Sequence, residues 1–265
     1  MGSGSDAVLV RDDDDGVRWL TINRPTARNA INLDVLERLR TATASADRDG
    51  GIRAVVITGA GERAFCAGAD LDELMAGSAA TAARLLTTGQ EVFSQIAELD
   101  VPTVAAVRGW ALGGGFELAL ACTLIVAAAS ARFGLPETGV GLIPGFGGTQ
   151  RLPRAIGPGP ARRVILTGAL LSAEEAWQLG LLARIPVAES ELDEATRELC
   201  AALVARDAIA TQTALRALCD DTLSTSLWRE TGLALTATLD PELRQRIATE
   251  RATRARPRNT TMIQP

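Results

Sequence analysis

Along the first half of the chain, short apolar blocks alternate with stretches in which apolar residues recur at helical spacing. Residues 7–10 and 17–22, rich in β-branched side chains, flank an acidic turn over 12–16 that closes on Gly16, and together they predict a β-hairpin. Leu33, Leu36 and Leu39 predict a helix from about 32 to 44. The block AVVITG (54–59) reads as a buried strand running into the glycine-flanked loop GAGERAFCAGAD (59–70). A helical stretch over 79–98 follows, and VPTVAAV (101–107) repeats the cycle of apolar strand, glycine loop and helix, the helix starting near Gly114. LIVAAA (124–129) begins a third cycle that ends in the Gly/Pro-rich stretch 134–148. Such repetition predicts an α/β fold with its loops gathered at one edge as the place for function.

Beyond Gly168 the pattern changes. Ser172 and Glu175 form a capping box that opens a short helix ending near Gly180, and LLARIPV (181–187) reads as a last strand. From about Glu189 the pattern is helical, with Leu192, Thr196, Leu199 and Leu203, then Leu215 and Leu218. This divides the chain into a core over 1–188 and a helical region over 189–265. The helical region is expected to pack on the core or on a neighbouring subunit.

Composition narrows the chemistry. Of 265 residues, 47% are hydrophobic and 3% aromatic, which suits an Ala/Leu/Val core. The 27 basic residues are all Arg against 32 acidic ones, and Lys, His and Tyr are absent. That excludes a Schiff-base lysine, any Ser/His or Cys/His couple and a histidine metal site. The net charge of −5 argues against nucleic acid as partner, and the Arg residues between Arg244 and Arg258, with Glu250 among them, read as a solvated helix face. Cys66, Cys122, Cys200 and Cys219 show no CxxC spacing and read as reduced core thiols, and MGSGSDAV lacks the features of a secretory signal. Both point to the cytoplasm. Residues 110–131 are apolar enough to suggest a membrane span, but three glycines and Glu117 interrupt them.

The stretch 108–148 carries the strongest chemical signal. Glu117 stands one turn into a helix among Leu and Ala, and Glu137 follows Pro136 in a loop after a strand. A buried, unpartnered carboxylate is costly, so a Glu in an apolar run usually has a task, although periodicity leaves open that Glu117 faces solvent. Gly113–Gly115 before that helix let a ligand approach the backbone and leave N–H groups for negative charge. The loop FCAGAD (65–70) ends the preceding cycle in the same way, so the two loops together offer the donors of an oxyanion hole. Cys66 has no His or Lys to activate it as a nucleophile.

NRPTARNAIN (23–32), FCAGADL (65–71), VPTVAAVRGWALGGGFELALAC (101–122), FGLPETGVGLIPGFGGTQRLPR (133–154) and LTGALLSAEEAWQLGLL (166–182) resemble, in consistent order, the crotonase superfamily of enoyl-CoA hydratases and isomerases. The resemblance implies a crotonase-like spiral of ββα turns with a C-terminal helical trimerisation region, assembling as a homotrimer or a hexamer made of two trimers. It places the oxyanion hole on the backbone N–H groups of Ala69 and Gly114, and the two glutamates of a hydratase on Glu117 and Glu137. It implies acyl-CoA contacts at Arg24, Ala27, Arg28, Ala69, Asp70 and Leu71, and no metal or cofactor beyond the CoA of the substrate. The implied activity is hydration of a 2-enoyl-CoA. The alternatives are Δ3,Δ2-enoyl-CoA isomerisation, for which a glutamate at 137 suffices, and acyl-CoA binding without catalysis.

Three positions depart from the family pattern. The usual ADIKE reads ADLDE, with Asp72 where a cation often approaches CoA phosphate. The usual AFxEKR reads RIATER, with Ile247 and Glu250, which leaves Arg24, Arg28, Arg251 or Arg254 to meet the phosphates. Thr123 stands where an Asp often follows the Cys. Acyl-chain length is expected to depend on Met75, Phe93, Phe116, Leu142, Phe146 and a loop over 72–80.

Overall fold

The computed structural model describes residues 6–76 and 78–218, together with 231, 232, 245, 248 and 249. Strands β1 (Val8–Asp12) and β2 (Val17–Ile22) pair antiparallel across the acidic turn, as their pattern predicts. Each later strand of the same sheet is followed within a few residues by a three-residue strand. Thus β3 (Ala54–Gly59) leads to β4 (Ala64–Cys66), β5 (Thr103–Val107) to β6 (Trp110–Leu112), and β7 (Leu124–Ala127) to β8 (Arg132–Gly134). The long strands form one sheet in the order β1-β2-β3-β5-β7, parallel from β2 onward. The short ones form a second sheet with β9 (Leu171–Ser172), in the order β4-β6-β8-β9.

Helices close each turn of the spiral: α1 (Leu33–Arg48) after β2, α2 (Leu71–Ala76) and α3 (Ala79–Ala97) after β4, α4 (Gly114–Ala121) after β6, and α5 (Gly148–Ile156) and α6 (Pro158–Thr167) after β8. Then come α7 (Ala173–Gln178), α8 (Leu192–Val204) and α9 (Ala208–Leu218). The ends follow local chemistry. The Asn32 side chain accepts from Val35 N–H to start α1, and Ser172 with Glu175 completes the capping box of α7.

Both faces of the long sheet are covered over β2, β3, β5 and β7, which are largely buried on both sides, while β1 is an exposed edge. Leu20, Ile22, Val55, Ile57, Ala105 and Val107 face the main core. The alternate residues, among them Trp19, Val56, Val104 and Val126, face Leu192, Ala195 and Cys200 of α8. The first helix after residue 189 therefore packs on the core. Arg18, though buried, is satisfied by two 2.7 Å bonds to Asp12 and by the Ala42 carbonyl and Ser45 hydroxyl, which joins the hairpin to α1.

The sequence expectations need three corrections. Residues 181–187 are not a strand: a single parallel bridge joins Val187 to Ala128, because Pro186 has no N–H to extend a ladder. The segments between each long strand and the following helix contain the strands β4, β6 and β8, too short to show period-two alternation. The segment expected as a loop over 72–80 is mostly the helix α2 and the start of α3. Cys219, Ile247, Glu250, Arg251 and Arg254 lie outside the described residues. Among the described residues no helix is long and apolar enough to cross a membrane.

Candidate active site

The expected site residues gather where the short strands end. Ala69 follows β4, Gly114 follows β6, and Glu137 lies in a 3-10 turn, Pro136–Val140, after β8. Because β4, β6 and β8 are neighbours in one sheet, loops about 45 and 23 residues apart in sequence come together.

The two backbone donors are oriented by different means. Ile31 donates to the Gly68 carbonyl at 2.8 Å and accepts from Asp70 N–H at 2.7 Å, so the alternation of an extended chain turns the Ala69 N–H away from Ile31. Gly114 is the first residue of α4, whose N–H has no acceptor within the helix. A β-carbon on Gly114 would stand 3.3 Å from Ala69 N, and one on Gly68 3.7 Å from Gly114 N. Among the described residues neither N–H has a protein acceptor, so two adjacent donors are left for a ligand.

Each glycine of the run has its own reason. Gly113, at φ +50° and ψ −127°, takes a backbone conformation that L side chains avoid, and a β-carbon there would sit 2.9 Å from Glu137 Oε1. The Glu137 carboxylate therefore rests against the backbone next to the Gly114 donor. A β-carbon on Gly114 would meet the Phe146 ring at 2.8 Å, and one on Gly115 would meet the Cys66 carbonyl oxygen at 2.1 Å. Gly115 thus allows α4 to lie against β4.

Glu117 does not face solvent: it is 1% exposed. Its Oε1 accepts from Phe146 N–H at 2.8 Å and from Gly148 N–H at 2.7 Å, the latter the first N–H of α5. These donors favour an ionised carboxylate, supported by the positive end of α5. Glu137 is half-buried, so the two acids differ in environment.

Around this centre, Arg24 donates to Asp70 Oδ2 at 2.9 Å and to the Ala30 carbonyl at 2.6 Å, so it binds the 23–32 loop to the segment after Ala69. Asp70 also accepts from Asp72 N–H at 3.1 Å at the start of α2. Arg28 is exposed with a left-handed backbone, φ 52°, and Ala27 and Leu71 are partly buried beside it and after Asp70. Of the cations expected near CoA, Arg24 is engaged within the protein, while among the described residues Arg28 has no ion pair. Phe93 and Phe116 are fully buried. Phe93 meets Phe146 edge-on at 5.3 Å, whereas Phe116 packs on Phe133.

Sequence reasoning missed Asn29, which is 1% exposed. Its amide donates to the carbonyls of Ala60 and Ala64 and its oxygen accepts from Arg24 N–H, fixing the loop against the β3–β4 connection. It also missed Arg151. Both lie inside motifs that carry the resemblance, NRPTARNAIN and FGLPETGVGLIPGFGGTQRLPR, but no periodicity marks either for a role.

Burial pushes the Cys66, Cys122 and Cys200 thiols up to about 12. All three are unbridged. In a Cys219→Ser background, native protein at pH 8 is expected to resist a thiol-specific reagent and to react only on unfolding; rapid native modification of any of them would contradict this. From about pH 9, the ordinary thiol value, the unfolded chain loses protons that the folded chain keeps until about 12. The stabilisation is full below pH 9 and is lost as pH rises toward 12, so Tm is expected to fall across that window. Among the described residues no group of three His, Cys, Asp or Glu is placed to hold a metal.

The family profile described as enoyl-CoA hydratase/isomerase matches residues 12–245. The chain is 41% identical over 186 residues to a crotonyl-CoA hydratase of Syntrophomonas wolfei, covering 70% of this chain and 72% of that protein. It is 38% identical over 210 residues to a short-chain-enoyl-CoA hydratase of Clostridium acetobutylicum, covering 79% and 80%. The crystal structure of an enoyl-CoA hydratase from Bacillus anthracis superposes with a TM-score of 0.78 at 34% identity, covering 94% of this chain and 96% of that one.

Proposed function

The chain belongs to the enoyl-CoA hydratase/isomerase family, and from that premise we propose that it adds water across the C2=C3 bond of a 2-enoyl-CoA thioester. The observation that carries this reading is the placement of two carboxylates, Glu117 and Glu137, around one pair of N–H donors that have no acceptor among the described residues. The thioester carbonyl accepts from Ala69 N–H and Gly114 N–H, which draws electrons toward the oxygen and makes C3 electrophilic. Glu117 takes a proton from water as its oxygen bonds to C3. The C2=C3 electrons shift toward C2 and the carbonyl, and Glu137 gives its proton to C2. A proton passed from Glu117 to Glu137 through solvent restores both acids. No cofactor is needed beyond the CoA of the substrate.

Arg28 is the described cation best disposed for CoA phosphate, since Arg24 is committed to Asp70. A short acyl chain fits best, because the Phe146 ring fills the space between Gly114 and Gly89. Two relatives are themselves named for crotonyl-CoA and short-chain enoyl-CoA hydration. Of the region 189–265 expected to assemble the trimer, most residues beyond Leu218 lie outside the described residues.

One observation favours Δ3,Δ2-isomerisation instead. Glu117 is so deeply held by Phe146 and Gly148 that it serves as a cap for α5, leaving Glu137 alone to shuttle a proton. Incubation with crotonyl-CoA and, separately, a 3-enoyl-CoA separates the readings. Hydration is expected to consume the conjugated enoyl thioester and yield a 3-hydroxyacyl-CoA. Conversion of the 3-enoyl-CoA without hydration of crotonyl-CoA would replace the hydratase reading.

A further inference from the structure

Among the described residues, the buried charged side chains are Arg18, Glu117 and Arg151. Arg18 is explained by Asp12 at the hairpin. Arg151, on α5, is 5% exposed, and a guanidinium stays protonated at any working pH, so its burial demands compensation from anions and carbonyl dipoles. Its Nη1 donates to the Phe146 carbonyl at 2.8 Å. The N–H of that same Phe146 donates to Glu117 Oε1, and Glu117 is the buried carboxylate of the described residues. One residue therefore links cation to anion, with the guanidinium on its carbonyl and the carboxylate on its N–H. The neighbouring N–H from Gly148 completes the grip, and Gln90 of α3 holds the preceding Gly145 carbonyl at 3.1 Å.

We infer that Arg151 is a positioning residue for the reaction: it fixes the 146–148 turn so that its N–H groups aim at Glu117, and it supplies the buried positive charge that balances this carboxylate. This rests on the hydratase reading, in which Glu117 is the base. The protein needs such a device because the turn is built on Gly145, Gly147 and Gly148, with Gly147 at φ 112°, and glycine by itself holds no fixed conformation. Phe146 is anchored at both ends, its ring against Phe93 and its carbonyl on Arg151. The other titratable groups turned inward on the elements packed here are Cys66 of β4, Cys122 of α4 and Glu137 of the 3-10 turn, whereas Arg154 of α5, Arg84 and Glu91 of α3 and Arg162 and Arg163 of α6 are exposed. Burial holds both thiols up to about 12, so neither contributes charge beside Glu117.

The test compares Arg151→Gln and Arg151→Lys with the parent protein on crotonyl-CoA, with Tm measured alongside. Arg151→Gln is expected to lower kcat about 10²-fold, the scale of a misplaced catalytic group, with KM little changed. Its acidic limb in the pH profile of kcat/KM is expected to move to higher pH. Arg151→Lys keeps the charge, so it should return the limb to its original place while recovering only part of kcat. A fall in Tm with kcat and the limb unchanged would make Arg151 merely structural and overturn the inference. If Arg151→Gln does not fold, Arg151→Lys decides: an unaltered kcat overturns the inference, a lowered kcat at an unaltered limb supports it. Failure of the parent protein to hydrate crotonyl-CoA would instead count against the hydratase reading. In that case the protonated-carboxyl infrared band, assigned by its loss in Glu117→Gln, still reads Arg151 directly. It should emerge at higher pH in Arg151→Gln than in the parent, and an identical onset overturns the inference.

Discussion

Glu117→Gln is expected to reduce hydration of crotonyl-CoA by roughly 10²–10⁴-fold, the range for loss of a general base, while the protein folds and melts cooperatively. The amide oxygen of Gln is isosteric with Oε1 and remains an acceptor for Phe146 N–H and Gly148 N–H. What disappears is the ability to take a proton. Glu117→Leu separates the two roles. It removes the acceptor as well and strands two buried donors at about 1–3 kcal/mol each, so it should lose both activity and several degrees of Tm. If Glu117→Gln keeps hydratase turnover, Glu117 is a cap for α5 and the isomerase reading gains. Measuring kcat and Tm on the same preparations distinguishes these outcomes.

The second large effect concerns two adjacent glycines that the sequence presents as equivalent. Gly115→Ala places a methyl 2.1 Å from the Cys66 carbonyl oxygen and 2.7 Å from its carbon, both backbone atoms of β4. Neither can yield without displacing α4 from the sheet, so a loss of about 3 kcal/mol or more is expected, and Tm should fall by roughly 10 °C. Gly114→Ala meets a side chain instead, the Phe146 ring at 2.8 Å, and its methyl would stand 3.3 Å from Ala69 N. The ring can tilt at a smaller cost, about 1–3 kcal/mol for overpacking. The methyl, however, crowds the space between the two donors, and about 10²-fold in kcat is expected to go with it. Adding Phe146→Leu should recover Tm in the Gly114→Ala protein but not kcat. Equal losses of stability and rate at both glycines would contradict the division of roles.

Much of the site was legible because its parts are backbone features written in local sequence. A glycine run preceding a helix, a Glu one turn later, and a second CAG turn after an apolar block are all short-range signals; they led to the two loops and to Glu117 and Glu137, while the family resemblance assigned the donors to Ala69 and Gly114. The partners of those residues were not legible. Phe146 and Gly148 lie 29 and 31 residues from the Glu117 they hold. The resemblance places Arg24 near CoA phosphate, but its partner Asp70, 46 residues away and brought close by the parallel bridge between Ile31 and Ala69, could not be read from the sequence. The short strands were missed for the same reason. A three-residue strand has no periodicity, and β4, β6 and β8 exist because each finds a parallel neighbour from another turn.

By itself the sequence determined the long strands, the helices α1, α3, α4, α7, α8 and α9, and the classes of chemistry open to the chain. These depend on apolar spacing and on which side chains are present, and the absence of Lys, His and Tyr left carboxylates, Arg and backbone N–H groups to act. The tertiary structure alone decided the direction and partner of each group. It turned Glu117 inward onto the N-terminus of α5, brought Arg151 to the carbonyl of the residue whose N–H holds Glu117, and left the N–H groups of Ala69 and Gly114 side by side without acceptors among the described residues. Local pattern fixes what an element is and which face it buries. The hydrogen bond that orients a buried charge depends on which distant loop the sheet register brings against it, and that information is carried by no single segment of the chain.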